Sequence, residues 1–352
     1  EKMSIYAYVS IAEVIMKLCI AFLLQLFFSD RLVLYAFLIF FSSVLFFFLN
    51  KFFCLKMYPY CKYHFYWDKD IYKELMSFSG WSFLGQVAIV FSSQGNNILL
   101  NMFYGVVVNA ALGISNQVNS ALMSFVSNFQ TAFKPQITKS YANNDFEYLF
   151  NMMFYTSKMS FYLIYLLAIP IIFNIDAILN CWLTVVPTYT ANFCILMIIY
   201  SLLDAVTGPF WMAIFATGKI KKYQIILSVF IFSSIILSYF SLYFGGSPES
   251  VLWIRVGINV LVLLIRVYFV KYLLGVPLEL FLHKVLLPVG YVVILSIPLS
   301  YLVYMQIYNF HFIFILVVIL LLNGVIVMFA GINKNERRQI CNMVYNLKLK
   351  RV

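Results

Sequence analysis

The chain has 352 residues, of which 64% are apolar and 11% charged. With a mean hydropathy of +0.92, this excludes a water-soluble globular protein, because such chains carry roughly 45–50% apolar and about 25% charged residues and lack the interior to hide more. The formal net charge of +11, from 24 Lys and Arg against 13 Asp and Glu, would suggest nucleic acid as the partner of a soluble protein; in a lipid-embedded chain it bears on topology instead.

A bilayer core of about 30 Å takes roughly 20 apolar helical residues to cross. Ten such runs are predicted, at 4–28, 31–53, 79–103, 106–132, 156–175, 188–216, 223–244, 250–270, 285–306 and 310–331. They are continuous rather than alternating, which excludes a β-barrel. The expected fold class is therefore an all-α integral membrane protein of about ten transmembrane helices.

In chain order, residues 1–53 form a helical pair and 54–78 a polar linker on the inner side. Six spans follow over 79–274, two more over 275–332, and a basic tail over 333–352. With both ends inside, the inner side holds all 24 cations except Arg31, the sole outer one, and Lys17, Arg255 and Arg266, which lie within spans. That asymmetry is the positive-inside pattern. Outer connections are short, the longest being 176–187, and leave no room for an external catalytic domain.

Motif chemistry is sparse. The six cysteines (19, 54, 61, 181, 194, 341) are scattered and imply no disulfide framework. Cys54, Cys61 and His64 do not fit the spacing of a zinc site and lack a fourth ligand. Asp68-Lys69-Asp70 resembles the acidic pair that holds a metal-bound sugar nucleotide, but the same residues read as an N-cap and first-turn acid for the helix that follows. No Gly-rich phosphate loop with Lys is found, and His64, His283 and His311 have no candidate nucleophile nearby. These readings imply no cofactor, no metal and no enzyme.

What remains are polar groups at lipid depth, where each is costly unless it faces a bundle interior or water. In the fourth span Asn109, Gly113, Asn116, Gln117, Ser120, Ser124, Asn128 and Thr131 recur at three- and four-residue intervals and form one stripe. The third span adds Gln86, Ser93, Asn97 and Asn101 on one face, with Gln94 and Asn96 nearby. Such a stripe either glues helices together or lines a water-filled cavity, and its length favours the cavity. Glu13 and Lys17 are spaced to pair on one face of the first span. Asp204 lies mid-span five residues before Pro209, with no local partner, and Arg255, Asn259 and Arg266 share a face of the eighth span, Arg266 near enough to its end to snorkel. The expected cavity lining is thus Gln86, Ser93, Asn97, Asn101, Asn109, Asn116, Gln117, Ser120, Asn128, Arg255, Asn259 and Lys17, with Glu13 and Asp204 as ion-coupling candidates. Amides, hydroxyls and cations suit a hydroxyl-rich ligand that carries an anionic group.

Three blocks carry a family resemblance: Phe78-Ser79-Gly80-Trp81, Ser124-Phe125-Val126-Ser127-Asn128-Phe129-Gln130-Thr131-Ala132-Phe133-Lys134-Pro135-Gln136-Ile137, and Ala216-Thr217-Gly218-Lys219-Ile220. Together they resemble the polysaccharide-repeat-unit flippases of the multidrug/oligosaccharidyl-lipid/polysaccharide exporter superfamily. The resemblance implies two six-helix lobes around a cavity plus two further helices, and transport of a polyprenyl-pyrophosphate-linked oligosaccharide, such as an O-antigen or capsule unit, from inner to outer leaflet by alternating access. On that template 1–53 ends the first lobe, 79–274 is the second lobe and 275–332 the extra pair, so about four helices of the first lobe are expected upstream of Glu1. The implied setting is a bacterial inner (cytoplasmic) membrane, with lipid, lipid-linked oligosaccharide and glycan-assembly enzymes as partners and no nucleic acid. A drug/cation antiporter of the same superfamily, a membrane glycosyltransferase or polymerase working through Asp68 and Asp70, and a non-transporting scaffold are the alternatives.

Overall fold

The computed structural model describes residues 3–26, 31–57, 65–333 and 336–338. Among them there is no strand, and the chain is an all-α membrane protein. It divides into two compact units, Glu1–Tyr72 and Lys73–Val352. The division falls inside the linker expected at 54–78.

The first unit is a helix pair, α1 (Met3–Leu26) and α2 (Arg31–Met57), packed on each other. Its surface carries Phe37, Phe40, Phe41, Phe47 and Phe48. So much exposed aromatic surface suits lipid rather than water. Asp68 then opens the next helix: its carboxylate accepts from the Asp70 amide at 2.9 Å and the Ile71 amide at 3.3 Å, the N-cap alternative of the sequence reading.

That helix, α3 (Lys69–Ala142), is 74 residues long, about 110 Å at 1.5 Å per residue and far longer than one crossing needs. Gly105, with φ 78 and ψ −173, breaks it where the sequence divides the third span from the fourth. This backbone region is open to glycine and strained for other residues. The two arms of α3 therefore count as two spans.

The remaining elements are α4 (Phe146–Phe173), the short α5 (Ile175–Trp182) between α4 and the next long helix, α6 (Thr190–Ala216), α7 (Lys221–Tyr243) and α8 (Glu249–Leu274). They are followed by α9 (Leu278–Phe281), which runs through a π-helical turn into α10 (Leu287–Ile307), and by α11 (Phe312–Ile326). Eight helices among the described residues are long and apolar enough to cross a bilayer. Counting α3 twice and adding α1, 24 residues long, gives the ten expected.

Side-chain contacts fix the directions in the second unit. Asn192 meets Glu249, Tyr200 meets Asn259, and Asp204 meets Arg266, so α6 and α8 run parallel. Ser92 meets Ser234 and Tyr104 meets Gly246, so the first arm of α3 runs parallel to α7. The second arm lies against α4 and α6, where Gln130 reaches Ser160 and Ala205. α10 and α11 dock on α4 through Tyr165 to Ser296 and Tyr162 to the Gly331 carbonyl, and Asn323 donates to Ser300 at 3.0 Å to join the two.

Candidate functional site: a charged cavity among four helices

Pro209 interrupts α6. It has no amide hydrogen, so the Ala205 carbonyl one turn earlier loses its helical donor. Gln130 of α3 supplies the replacement, donating its side-chain amide to Ala205 O at 3.0 Å and to Ser160 Oγ at 3.0 Å. The Gln130 amide lies where a side chain on residue 208 would sit, which only Gly208 allows. Thr207, in the same loosened turn, bonds the Asp204 carbonyl at 3.3 Å. Here α6 turns Asp204 toward α8.

Facing it, α8 presents Arg255, Asn259 and Arg266 on one face. A cavity of about 270 Å³ opens between the first arm of α3 (Ile89, Ser92, Ser93), α6 (Tyr200, Asp204), α7 (Leu227, Ile231, Ser234) and α8 (Arg255, Ile258, Asn259, Val262, Arg266). Arg266 Nη1 donates to Asp204 Oδ1 at 2.8 Å and to Thr207 Oγ1 at 2.5 Å, and Arg266 Nε donates to the Tyr223 hydroxyl at 3.3 Å. The two ion-paired side chains are 13% and 29% exposed, so the pair is largely withdrawn from solvent. Asp204, without a local partner, thus has a distant one, and Arg266 is turned inward instead of snorkelling. Sixty-two residues separate them, and no local spacing signals the pairing.

Arg255 stands three helical turns from Arg266, about 16 Å along α8. Its guanidinium lies 5.3 Å from the Tyr200 ring centroid, and among the described residues no carboxylate is within ion-pair distance of it. Asn259, buried between the two arginines, donates to the Tyr200 carbonyl at 2.9 Å. Ser92 and Ser234 bond each other at 2.8 Å across the α3–α7 contact. The cavity thus combines an aliphatic wall with hydroxyls, an amide, and one neutralised and, among the described residues, one unneutralised cation.

Of the expected lining, Ser93, Arg255, Asn259 and the ion-coupling candidate Asp204 come together here. The remaining residues of the second unit lie elsewhere in it. On the second arm of α3, Asn109 and Asn116 are half-buried while Gln117, Ser120, Ser124, Asn128 and Thr131 are exposed. The stripe is real, but it points away from the helices its own unit packs against. Gln86 and Asn101 are also exposed, and Asn97 is half-buried with its amide bonded to Gln94 at 3.2 Å. Glu13 and Lys17 pair at 2.7 Å as their spacing predicts, within the first unit.

Two further polar groups are buried in a way their sequence positions do not signal. Asn96, which the sequence places beside the polar face of the third span, is completely buried, and its four-residue offset from Ser92 puts both on one face. Lys158, expected as an inner-side cation at a helix end, is 2% exposed and bonds both oxygens of Glu336 at 2.8 and 2.7 Å. Glu336 also accepts the Asn333 amide at 2.9 Å, the back-bond of a capping box. The metal reading of Cys54, Cys61 and His64 rests partly on residues outside the described set. Comparison of the chain with protein-family models, with curated proteins and with solved structures returns no match.

Proposed function

We propose that the protein is a membrane transporter, not an enzyme, that moves a lipid-linked, hydroxyl-rich anionic headgroup across the bilayer by alternating access, its setting a bacterial cytoplasmic membrane with both ends of this chain inside. Its substrate on this reading is a polyprenyl-pyrophosphate-linked oligosaccharide, with Arg255 drawing the pyrophosphate and Asn259, Ser92 and Ser93 offering partners to hydroxyls. The observation that carries the reading is Arg255: a cation at lipid depth, lining a cavity of mixed polar and aliphatic wall, without a neighbouring carboxylate among the described residues. Such a charge is expensive unless a ligand or water meets it. A volume near 270 Å³ lies just below the usual range of ligand pockets, about 300–1,000 Å³, so it suits a phosphate or one sugar ring. The exposed amides of the 109–131 stripe are then the surface along which further sugars lie. A drug/cation antiporter fits less well, because Arg266 already neutralises Asp204 and Arg255 repels cations.

The test is a flipping assay in proteoliposomes with a fluorescent polyprenyl-pyrophosphate oligosaccharide. Arg255→Ala is expected to lower the initial rate at least tenfold and Arg255→Lys to retain a measurable part of it. An unchanged rate in Arg255→Ala removes the assigned role, and Asp204-dependent ethidium efflux in its place would favour the antiporter.

A further inference from the structure

The contact between the first arm of α3 and α7 mixes apolar pairs, such as Ile235 against Gly95 and Phe91 against Phe232, with a series of buried polar side chains. On α7 the buried face carries Gln224, Ser228, Ser234 and Ser238, and on α3 it carries Ser92 and Asn96. From Gln224 to Ser238 is 14 residues, about 21 Å of a bilayer core of about 30 Å. Ser92 and Ser234 satisfy each other at 2.8 Å. One turn further along each helix, Asn96 and Ser238 occupy the same register, both 0% exposed, and neither amide atom of Asn96 nor Ser238 Oγ has a hydrogen-bond partner among the described residues. In the other direction Gln224 Oε1, Ser228 Oγ and Ser82 Oγ are likewise buried and unpartnered. Most buried polar atoms left without a partner among the described residues therefore lie on this one seam.

Leaving a buried polar atom unpaired costs about 1–3 kcal/mol, and a single helix contact does not gather several by chance. A cation would meet Asn96 Oδ1 but repel its Nδ2 hydrogens. Water satisfies both, needs two to four polar partners and a space of about one water molecule, and has a source: Ser92 and Ser234 line the 270 Å³ cavity. We infer that the α3–α7 seam is a water-binding site, a file of ordered waters that runs from the cavity past Ser234 to Asn96 and Ser238 on one side and to Ser228 and Gln224 on the other. It hydrates the Asp204–Arg266 pair from the α7 side and goes beyond the transport reading, since it does not depend on what the cavity carries.

Thiol reactivity tests it, because a thiol ionises and reacts in water but not in a dry contact. Ser228→Cys and Ser238→Cys variants of the full chain are treated in membranes with 2-aminoethyl methanethiosulfonate and read peptide by peptide by mass spectrometry. Native Cys194, buried in the apolar cluster with Ile175 and Leu179, serves as the dry reference, and Leu237→Cys, on the exposed face of α7, as the outer one. Both seam cysteines are expected to react at least tenfold faster than Cys194 and Leu237→Cys; rates as slow as Cys194 overturn the inference. Asn96→Leu decides the matter without a reagent. A hydrated seam loses partners and the thermal midpoint falls by a few degrees, whereas in a dry seam two unpaired atoms are removed and the midpoint rises. The flipping assay enters neither measurement, so this inference and the transport reading fail separately.

Discussion

The cavity among α3, α6, α7 and α8 and the stripe on the second arm of α3 are built from the same residue types, yet they do different work. In the cavity the polar groups are tied across helices: Asp204 to Arg266 at 2.8 Å, Asn259 to the Tyr200 carbonyl at 2.9 Å, Ser92 to Ser234 at 2.8 Å. On the stripe the hydroxyls turn back to their own helix, Ser124 to the Ala121 carbonyl at 2.7 Å and Thr131 to the Ser127 carbonyl at 2.7 Å. The cross-helix bonds make the cavity part of the structure. The stripe contributes little to the packing of its unit, and among the described residues its amides are left for a ligand, water or another surface.

The difference predicts where substitution hurts. The largest loss is expected for Asp204→Ala, which strands the Arg266 charge in a largely buried site; breaking such a pair costs about 3–5 kcal/mol. Thermal unfolding in detergent micelles reads it, and Asp204→Ala with Arg266→Leu should be more stable than Asp204→Ala alone. Equal losses in the single and double variants would mean that the pair does not hold the cavity together.

A smaller effect is expected at the proline break. Gln130→Leu leaves the Ala205 carbonyl freed by Pro209 without a donor, at about 1–3 kcal/mol. In a Pro209→Ala background the helix regains its own donor, so the same Gln130→Leu change should cost less. An undiminished cost there would place the importance of Gln130 in its Ser160 contact.

The smallest stability effect is expected on the stripe. Asn116→Leu, Ser120→Leu and Asn128→Leu should stay within about 0.5 kcal/mol of the parent, while lowering the flipping rate at least threefold. Destabilisation comparable to the cavity variants would erase the contrast and make the stripe a helix contact.

Much of the fold was legible because its causes are local. Twenty apolar residues in succession make a span wherever they occur, Asp68 caps α3 through amides two and three residues away, and Glu13 meets Lys17 one turn on. The break at Gly105 is also local, since its backbone angles favour glycine. The site was only half legible. Periodicity located Ser93, Asn259, Arg255 and Asp204 without showing that they share a cavity, and it gave the stripe residues equal weight. Gln130 stood within a family-like block, but its reason for being there lies 75 residues away at Ala205.

Composition and spacing alone settle that this chain is a helical membrane protein of about ten helices, and which helix faces are polar, because each follows from interactions within a turn or two or from the cost of placing a run of side chains in lipid. Only the tertiary structure decides which of those polar groups neutralise one another. Arg266 with Asp204 and Lys158 with Glu336 are brought together across 62 and 178 residues. A charge at lipid depth can be met by any helix that packs beside it, so its partner is set by packing and not by sequence distance. Once those pairs are made, Arg255 is left as the cavity's unneutralised cation among the described residues.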